Sequence, residues 1–457
     1  MHRLYYSCYD NGRVELAIEN DVSDYANIFT VIVGKNGVGK SRLLSQIAKS
    51  CIENNEILSE LQSYNINEQS PKVIAVSTSP FDKFPSNRKA TSSPYIDTNY
   101  RYVGMRGEGP FGISSAVSLL SSAAKGWLEK LVSLENSANL LDVFYSLDFE
   151  PRAEFVFKSS YIGITPLEYE NAYKHKDELL EEVIQLHLER NIILDRRYIE
   201  QLAKYSKEVR YDIYNAMVEV NHFESGRKAV TLSVDFTNGE SLVGSYHASS
   251  RFAKAILRLI SVGFMRLMDM RLIKNSYGPM SLKRASSGEQ CLLVMMLGIA
   301  GHITDNSIIL IDEPEISLHP RWQEEFILMI TRAFSSYKGC QFIIATHSPQ
   351  IISHLPDEGC YITSLSNNTI YKAKYFSKRS ADYQLAELFD APGIMNEYIA
   401  RLAFSLLSKV KSAKYVTDEN WNELHQLQHL IQNVDRHDPI KELVESIYQV
   451  CEIYAKN

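Results

Sequence analysis

Residues Gly34 to Ser41 read GKNGVGKS, and this octapeptide constrains the chain more than any other segment. It matches the spacing GxxxxGK(S/T) and sits between two telling neighbours. Before it lies a continuous apolar run, residues 28–33 (IFTVIV). After it, apolar positions 43, 44, 47, 48, 51 and 52 fall on one helical stripe. An unbroken apolar run that stops at glycines is the pattern of a strand buried on both faces. Strand, glycine loop and helix in that order form a phosphate cradle. Gly37 and Gly39 let the backbone turn its N–H groups inward onto phosphate oxygens, and Gly34 and Asn36 belong to the same loop. The helix beginning near Lys40 turns its free N–H groups and positive dipole end toward the same anion. Lys40 adds a point charge for β- and γ-phosphates, and the Ser41 hydroxyl is placed to ligate Mg. ATP with Mg is the expected ligand.

A second motif answers the first. IILIDEPE, Ile308 to Glu315, is a buried strand ending in adjacent acids. Carboxylates at the carboxyl ends of parallel strands stand where doubly wound sheets bind ligands. Asp312 is expected to hold Mg, directly or through water, and Glu313 to polarise an attacking water as general base.

Three further segments fall in a fixed order. SSGEQ, Ser286 to Gln290, precedes the acidic strand and opens a helix; SLHP, Ser317 to Pro320, follows the acids; ATHSP, Ala345 to Pro349, ends another apolar run. With the glycine loop, they resemble the signature, D-loop and histidine switch of ABC-type ATPases, the class of the SMC, RecF and OLD-like proteins. The resemblance implies that Ser287 and Gly288 bind the γ-phosphate of ATP held on a second copy, and that His347 contacts that phosphate or holds the attacking water. It also implies a homo-oligomer, a dimer of heads or larger. There are departures. The region after the third expected strand (residues 72–78) reads STSPFDKF, Ser77 to Phe84, without the glutamine usual in the Q-loop, and Glu289 replaces the second signature glycine. Tyr9 and Tyr25 are the aromatics available to an adenine base, and packing roles explain both equally simply.

Composition limits the remaining classes. With 457 residues, the chain exceeds one hydrophobic core. A net charge of -7 gives no global case for nucleic-acid binding, although residues 251–284 hold Arg251, Lys254, Arg258, Arg266, Arg271, Lys274, Lys283 and Arg284 against Asp269 alone. That run is either a solvated helix face or a local surface for nucleic acid or an acidic partner. Six cysteines without a CxxC pair suggest neither zinc nor disulfides, and His425 and His429 lack further ligands. The longest apolar run, near residues 292–301, is too short for a membrane span, and the first residues lack a signal-peptide core. A cytoplasmic protein without a membrane partner is expected.

The expected fold is α/β, an ABC-type P-loop ATPase head with an inserted helical arm and a helical C-terminal tail. Residues 1–106 form the first part of the head, 107–227 a mainly helical insertion, 228–370 the second part, and 371–457 the tail. Residues 13–20 read as a strand. Residues 112–147 and 166–221 read as helices around a strand EFVFKSSYIG, residues 250–274 as a further helix, and Asn238-Gly239 as a hairpin turn. The arm is too short for a long-armed SMC-like repair ATPase, and the insertion argues against a transporter subunit. The acidic pattern of a TOPRIM nuclease is missing after His347. VIAVSTSPFDKFP, YRYVGMRG and DEPEISLHP together resemble the ATPase subunit of Septu-type antiphage defence systems, the PtuA family. That resemblance implies a separate nuclease partner, of HNH type. Alternatives are a PARIS- or OLD-like ATPase with a TOPRIM-type partner, a DNA-repair SMC/RecF-like ATPase, and a scaffold or sensor that binds ATP without hydrolysing it.

Overall fold

The computed structural model describes residues 3–10, 12–23, 25–61, 71–85, 99–106, 116–133, 138–162, 178–224, 229–238, 240–243, 246–247, 249–316 and 318–455. The chain is built on a seven-stranded sheet in the order Thr369–Lys372, Cys360–Ser364, Ile28–Val33, Gln341–Ala345, Ile308–Asp312, Val73–Ser77 and Tyr100–Gly104. All neighbours are parallel except the edge pair Thr369–Lys372 and Cys360–Ser364. The strand preceding the glycine loop and the strand ending in Asp312 are therefore separated by one strand, the one that leads to His347.

These strands are apolar throughout because both faces are covered. On one face the helix Lys40–Leu61 packs Leu43, Leu44, Ile47 and Ala48 against Ile32, Ala75, Leu310 and Ile343. On the other, Val31, Val33, Ile74, Ile309, Ile311 and Ile344 meet the helices Ser287–His302 and Pro320–Ala333. Residues of opposite parity on each strand serve the two layers, as the pleat requires. The longest apolar run of the sequence is the interior of the helix Ser287–His302, which is buried from Cys291 to His302. Among the described residues no helix is long and apolar enough to cross a membrane.

A second, antiparallel sheet has the order Gly278–Ser281, Met265–Lys274, Phe149–Ser159, Val230–Asp235, Glu240–Val243 and Tyr246–His247. The expected hairpin is present between Val230–Asp235 and Glu240–Val243, with Gly239 itself outside the described residues. The helix Ala116–Ser133 joins the two sheets into one core: Trp127 donates from Nε1 to the Leu297 carbonyl at 2.7 Å and packs edge-on to Phe144 and Phe236. Lys130 reaches the carbonyls of Ala300 and Ile303, where the helix Ser287–His302 ends.

Several expectations are corrected here. The helix expected over 250–274 ends at Ser261; a turn at Gly263 (φ 76°) follows, and Met265–Lys274 is a strand. Its burial alternates over Met265–Leu267 and again over Met270–Leu272, on either side of a register shift, a signal hidden by the preceding helical stripe. The basic run is thus divided among helix, strand and a 3-10 turn, and three of its arginines meet acids of neighbouring elements: Arg258 with Asp212 at 2.6 Å, Arg251 with Glu219 at 3.5 Å and Arg271 with Glu154 at 3.4 Å. The strand expected over 13–20 is only Gly12–Glu15, hairpinned to Tyr6–Tyr9. The helices of the insertion, Glu178–Arg190, Arg196–Leu202 and Lys207–Glu224, bury Val183, Leu186, Leu202, Ile213 and Met217 in the main core. The described residues there form a packed layer and not a projecting arm. The C-terminal helices Glu397–Ala413, Asp418–Leu430 and Pro439–Ala455 close around a core of their own. The region returns to the glycine loop through an ion pair of Asp390 with Lys35 at 2.6 Å.

The two buried helices cross where Gly126 meets Gly301. A Cβ on Gly126 would lie 2.7 Å from His302 Cε1 and 2.8 Å from the Gly301 carbonyl carbon. Alanine is intrinsically better than glycine in a helix by about 1 kcal/mol. At this crossing the overlap outweighs that gain, and Gly126→Ala is expected to destabilise the chain by about 1–3 kcal/mol. Thermal unfolding of the two proteins checks this, and a raised midpoint for the variant would contradict the packing.

Candidate functional site

The glycine loop leaves the carboxyl end of Ile28–Val33 and wraps around the amino end of Lys40–Leu61. Gly34, Gly37 and Gly39 have φ of 147°, 81° and 105°. At Gly39 this is decisive, because a side chain there would be strained and would also collide with the Tyr9 hydroxyl packed against the loop. Asn36 and Gly37 are exposed at the loop tip. Lys40 is buried and folds back over the loop, donating to the carbonyls of Gly34 at 2.8 Å and Lys35 at 3.2 Å and to His347 Nδ1 at 3.2 Å.

Sheet register delivers the acids to the same place. Asp312 pairs with Ala345 on one side and Ser77 on the other, and it accepts a hydrogen bond from Ser41 Oγ at 3.0 Å. Glu313 is pinned by its N–H to the Ala345 carbonyl at 2.9 Å, in a left-handed conformation (φ 48°) uncommon for a glutamate. Its Oε1 lies 3.5 Å from His347 Nε2. Since Lys40 donates to Nδ1, the ring proton belongs on Nε2, facing Glu313. Glu315 accepts from the Thr346 hydroxyl at 2.9 Å and from the His347 N–H, and so fixes the backbone that carries the histidine.

The electrostatics follow from this crowding. Burial pushes the Lys40 ammonium down to about 8, against the pull of Glu313, Glu315 and Asp312. Burial pushes Asp312 up to about 7; the Ser41 hydrogen bond opposes this, and the charges of Glu313, Asp82 and Glu315 add to it. The hydrogen bond from His347 holds Glu313 below the usual carboxylate range, and burial raises Glu315 above it. Three carboxylates against one ammonium leave an excess of negative charge around an oxygen donor set, Ser41 Oγ and Asp312 Oδ1. That arrangement fits a hard divalent cation such as Mg. Among the described residues no group of three or more His, Cys, Asp or Glu side chains is placed to hold a metal ion by itself.

Gly34, Asn36, Gly37, Gly39, Lys40, Ser41, Asp312, Glu313 and His347 therefore converge. Ser287 and Gly288 do not join them. They line a separate cavity of about 550 Å³ with Ser286, Leu318, His319, Arg321 and Trp322. Ser317 of the expected D-loop lies outside the described residues. The cap of this helix is Ser286, which exchanges hydrogen bonds with Glu289 in a capping box; Ser287 is the first helical residue. A carboxylate of the chain itself thus already stands at this helix end.

The spacing of the sequence motifs assigns no role to Glu315, Arg321 or Trp322, whereas a cap at the serines of SSGEQ with a glutamate in the first turn is legible in them. Glu315 lies inside the acidic motif two residues beyond Glu313, but nothing in the spacing shows that it turns back onto the histidine segment. Of the two aromatics, Tyr9 lies at the loop, whereas Tyr25 bonds to Gly339 at the opposite end of the sheet.

The loop geometry yields a direct test. Gly39→Ala places a Cβ at φ 105° and against Tyr9, so a stability loss of about 1–3 kcal/mol is expected together with loss of nucleotide binding. Thermal unfolding and binding of a fluorescent ATP analogue check both, and a variant that binds like the parent would contradict the loop conformation.

Comparison with known proteins agrees with the broad outline. Residues 141–353 match the family described as "AAA domain, putative AbiEii toxin, Type IV TA system", a span that includes Ser287, Asp312 and His347 and begins after the glycine loop. The chain is 28% identical over 165 residues to the Escherichia coli protein named "Retron Ec83 probable ATPase", covering 33% of this chain and 29% of that protein. It is 29% identical over 163 residues to "Retron Vc95 probable ATPase" of Vibrio cholerae serotype O1 biovar El Tor, covering 32% and 30%. A shorter match, 33% over 75 residues, is to "Protein ea59" of Escherichia phage lambda, covering 16% and 14%. The matched region spans less than a third of the length of each of these relatives. The mixed α/β fold, the convergent site and these similarities together support an AAA-type ATPase domain.

Proposed function

We propose that this chain binds and hydrolyses ATP as the ATPase subunit of an antiphage defence complex, and that its nucleotide state governs a separately encoded nuclease. The observation that carries the ATPase reading is the convergence of Lys40, Ser41, Asp312, Glu313 and His347 at the carboxyl ends of three adjacent strands. The defence reading is supported by similarity to two proteins each named a retron "probable ATPase".

The chemistry assigned to each residue follows from the geometry. Lys40 exchanges its two backbone carbonyls for β- and γ-phosphate oxygens, and the loop N–H groups complete the cradle. Ser41 and Asp312 hold Mg, which neutralises charge on the phosphates. Glu313, kept ionised by His347, accepts a proton from the attacking water, and His347 passes from Lys40 to the γ-phosphate or that water. Ser287 and Gly288, in a cavity lined by no residue of the glycine loop, meet the γ-phosphate of a second copy, so two chains complete each site. Glu289 swings aside when that phosphate arrives, because two anions cannot share one helix end. The partner is an HNH-type nuclease, and any contact of residues 251–284 with nucleic acid is local.

Two outcomes test this. Lys40→Ala is expected to weaken ATP binding at least tenfold, whereas Glu313→Gln keeps binding and slows phosphate release by about 10²–10⁴-fold. A Glu313→Gln protein that turns over at the parental rate would remove the general-base assignment. Purified alone with Mg, the chain is expected to cut neither DNA nor RNA, and cleavage is expected to arise, with a dependence on ATP, only in complex with the co-purified partner. Cleavage by the chain alone that survives Asp312→Asn would end the ATPase-plus-effector reading.

A further inference from the structure

Asp82 lies in the segment STSPFDKF and enters the site as described so far only through its charge at Asp312. Its side chain is fully buried, yet it is an acid, and it is held by four bonds. It accepts from the Tyr102 hydroxyl at 2.6 Å, from Arg106 Nη2 at 2.5 Å and Nε at 3.2 Å, and from the Phe84 N–H at 3.1 Å. Arg106 also donates to the Phe84 carbonyl at 2.7 Å and lies over the Tyr102 ring at 4.8 Å. The Asp82 carboxylate is out of water while the Arg106 side chain is 31% exposed, and a carboxylate held by this many donors is fixed in place; fixed charge removed from water acts over several ångströms.

Its position is set by the same helix that carries Ser41. Ser41 and Ser45 stand one turn apart on one face of Lys40–Leu61. Ser41 donates to Asp312, and Ser45 donates to the carbonyl of Lys83, the residue after Asp82, at 2.6 Å. The strand leading to Asp82, Val73–Ser77, is paired with the strand ending in Asp312, with Ser77 opposite Asp312. Two attachments, one through the helix and one through the sheet, thus tie the segment of Asp82 to the two elements that carry Ser41 and Asp312. Its charge is among those felt at Asp312.

We propose that Asp82 is a positioning residue for the divalent cation: it does not ligate the ion but supplies, through the Asp82–Arg106 pair, a charge balance that sets how tightly Ser41 and Asp312 hold it. This rests on the reading that the site binds ATP with Mg. It gives a role to the segment where the Q-loop glutamine is missing. Arg106 closes the strand segment at the edge of the sheet and leads into the insertion, so a displacement of Arg106 changes the charge facing the cation. Affinity for Mg and the position of Arg106 are then linked in both directions.

The experiment measures the Mg concentration needed for half-maximal enhancement of binding of N-methylanthraniloyl-ATP, with thermal unfolding recorded for each variant. Asp82→Asn leaves the Arg106 cation unopposed and is expected to raise the Mg requirement about 3- to 10-fold. Arg106→Gln keeps the carboxylate and removes the cation, and is expected to lower the requirement about 2- to 3-fold. Loss of a merely structural contact would weaken both variants in the same direction. An unchanged requirement in Asp82→Asn, or an equal or higher one in Arg106→Gln, overturns the proposal; should Asp82→Asn fail to fold, Arg106→Gln decides alone. Ser41→Ala separates this failure from a deeper one. If the parent shows Mg-dependent binding that Ser41→Ala loses while the Asp82 and Arg106 variants behave otherwise than stated, only the present inference falls. If the parent itself shows no Mg-dependent binding, the ATP reading falls and takes this one with it.

Discussion

The hydrogen bond from Ser41 to Asp312 joins residues 271 positions apart, and most of the architecture can be understood as the means of making it. Neither group is placed by local structure alone. Ser41 depends on the glycine loop turning sharply enough to start a helix, and Asp312 depends on a strand that ends in register with Ser77 and Ala345. The strand between the two motifs is what brings His347 into the gap, within reach of both Lys40 and Glu313. A parallel sheet is suited to this, because all its carboxyl ends open on one edge.

The arrangement is costly to hold. A buried ammonium is satisfied by backbone carbonyls, a buried carboxylate by one hydroxyl, and Glu313 sits at φ 48° where glutamate is seldom found. Groups removed from water and left with substitute partners are ready to exchange those partners for phosphate oxygens and a cation, with little further desolvation to overcome. The surrounding core keeps them there: strands buried at every residue on both faces leave the loop and the acids little room to relax.

How much of this was legible in the sequence depended on whether the signal was local. The glycine loop, the acidic strand end and the histidine segment each carry their meaning within eight residues, and the sheet brings all three together. The helix expected over 250–274 failed at Gly263 because apolar residues at helical spacing run directly into an alternating strand, and a window spanning both averages the two periods. The insertion suggests an arm in sequence because charged helices with one apolar stripe look alike whether they pack or project; the partners of Val183, Ile213 and Met217 lie in a core shared with the helix Ser250–Ser261 and the antiparallel sheet. Asp82 was invisible for a different reason. Its partners, Tyr102 and Arg106, are twenty and more residues away, and no spacing announces an ion pair formed between two segments that follow the ends of neighbouring strands.

One consequence of the fold bears on assembly. The cavity at Ser286, Ser287 and Gly288 belongs to the helix Ser287–His302, whose body is buried against the sheet and locked at its far end by Gly126, Trp127 and Lys130. Such a helix cannot swing its first turn across to Lys40 of the same chain without opening the core that joins the two sheets. Under the function proposed above, the phosphate met by this first turn therefore comes from outside the chain, and a second copy of the chain is its proposed source.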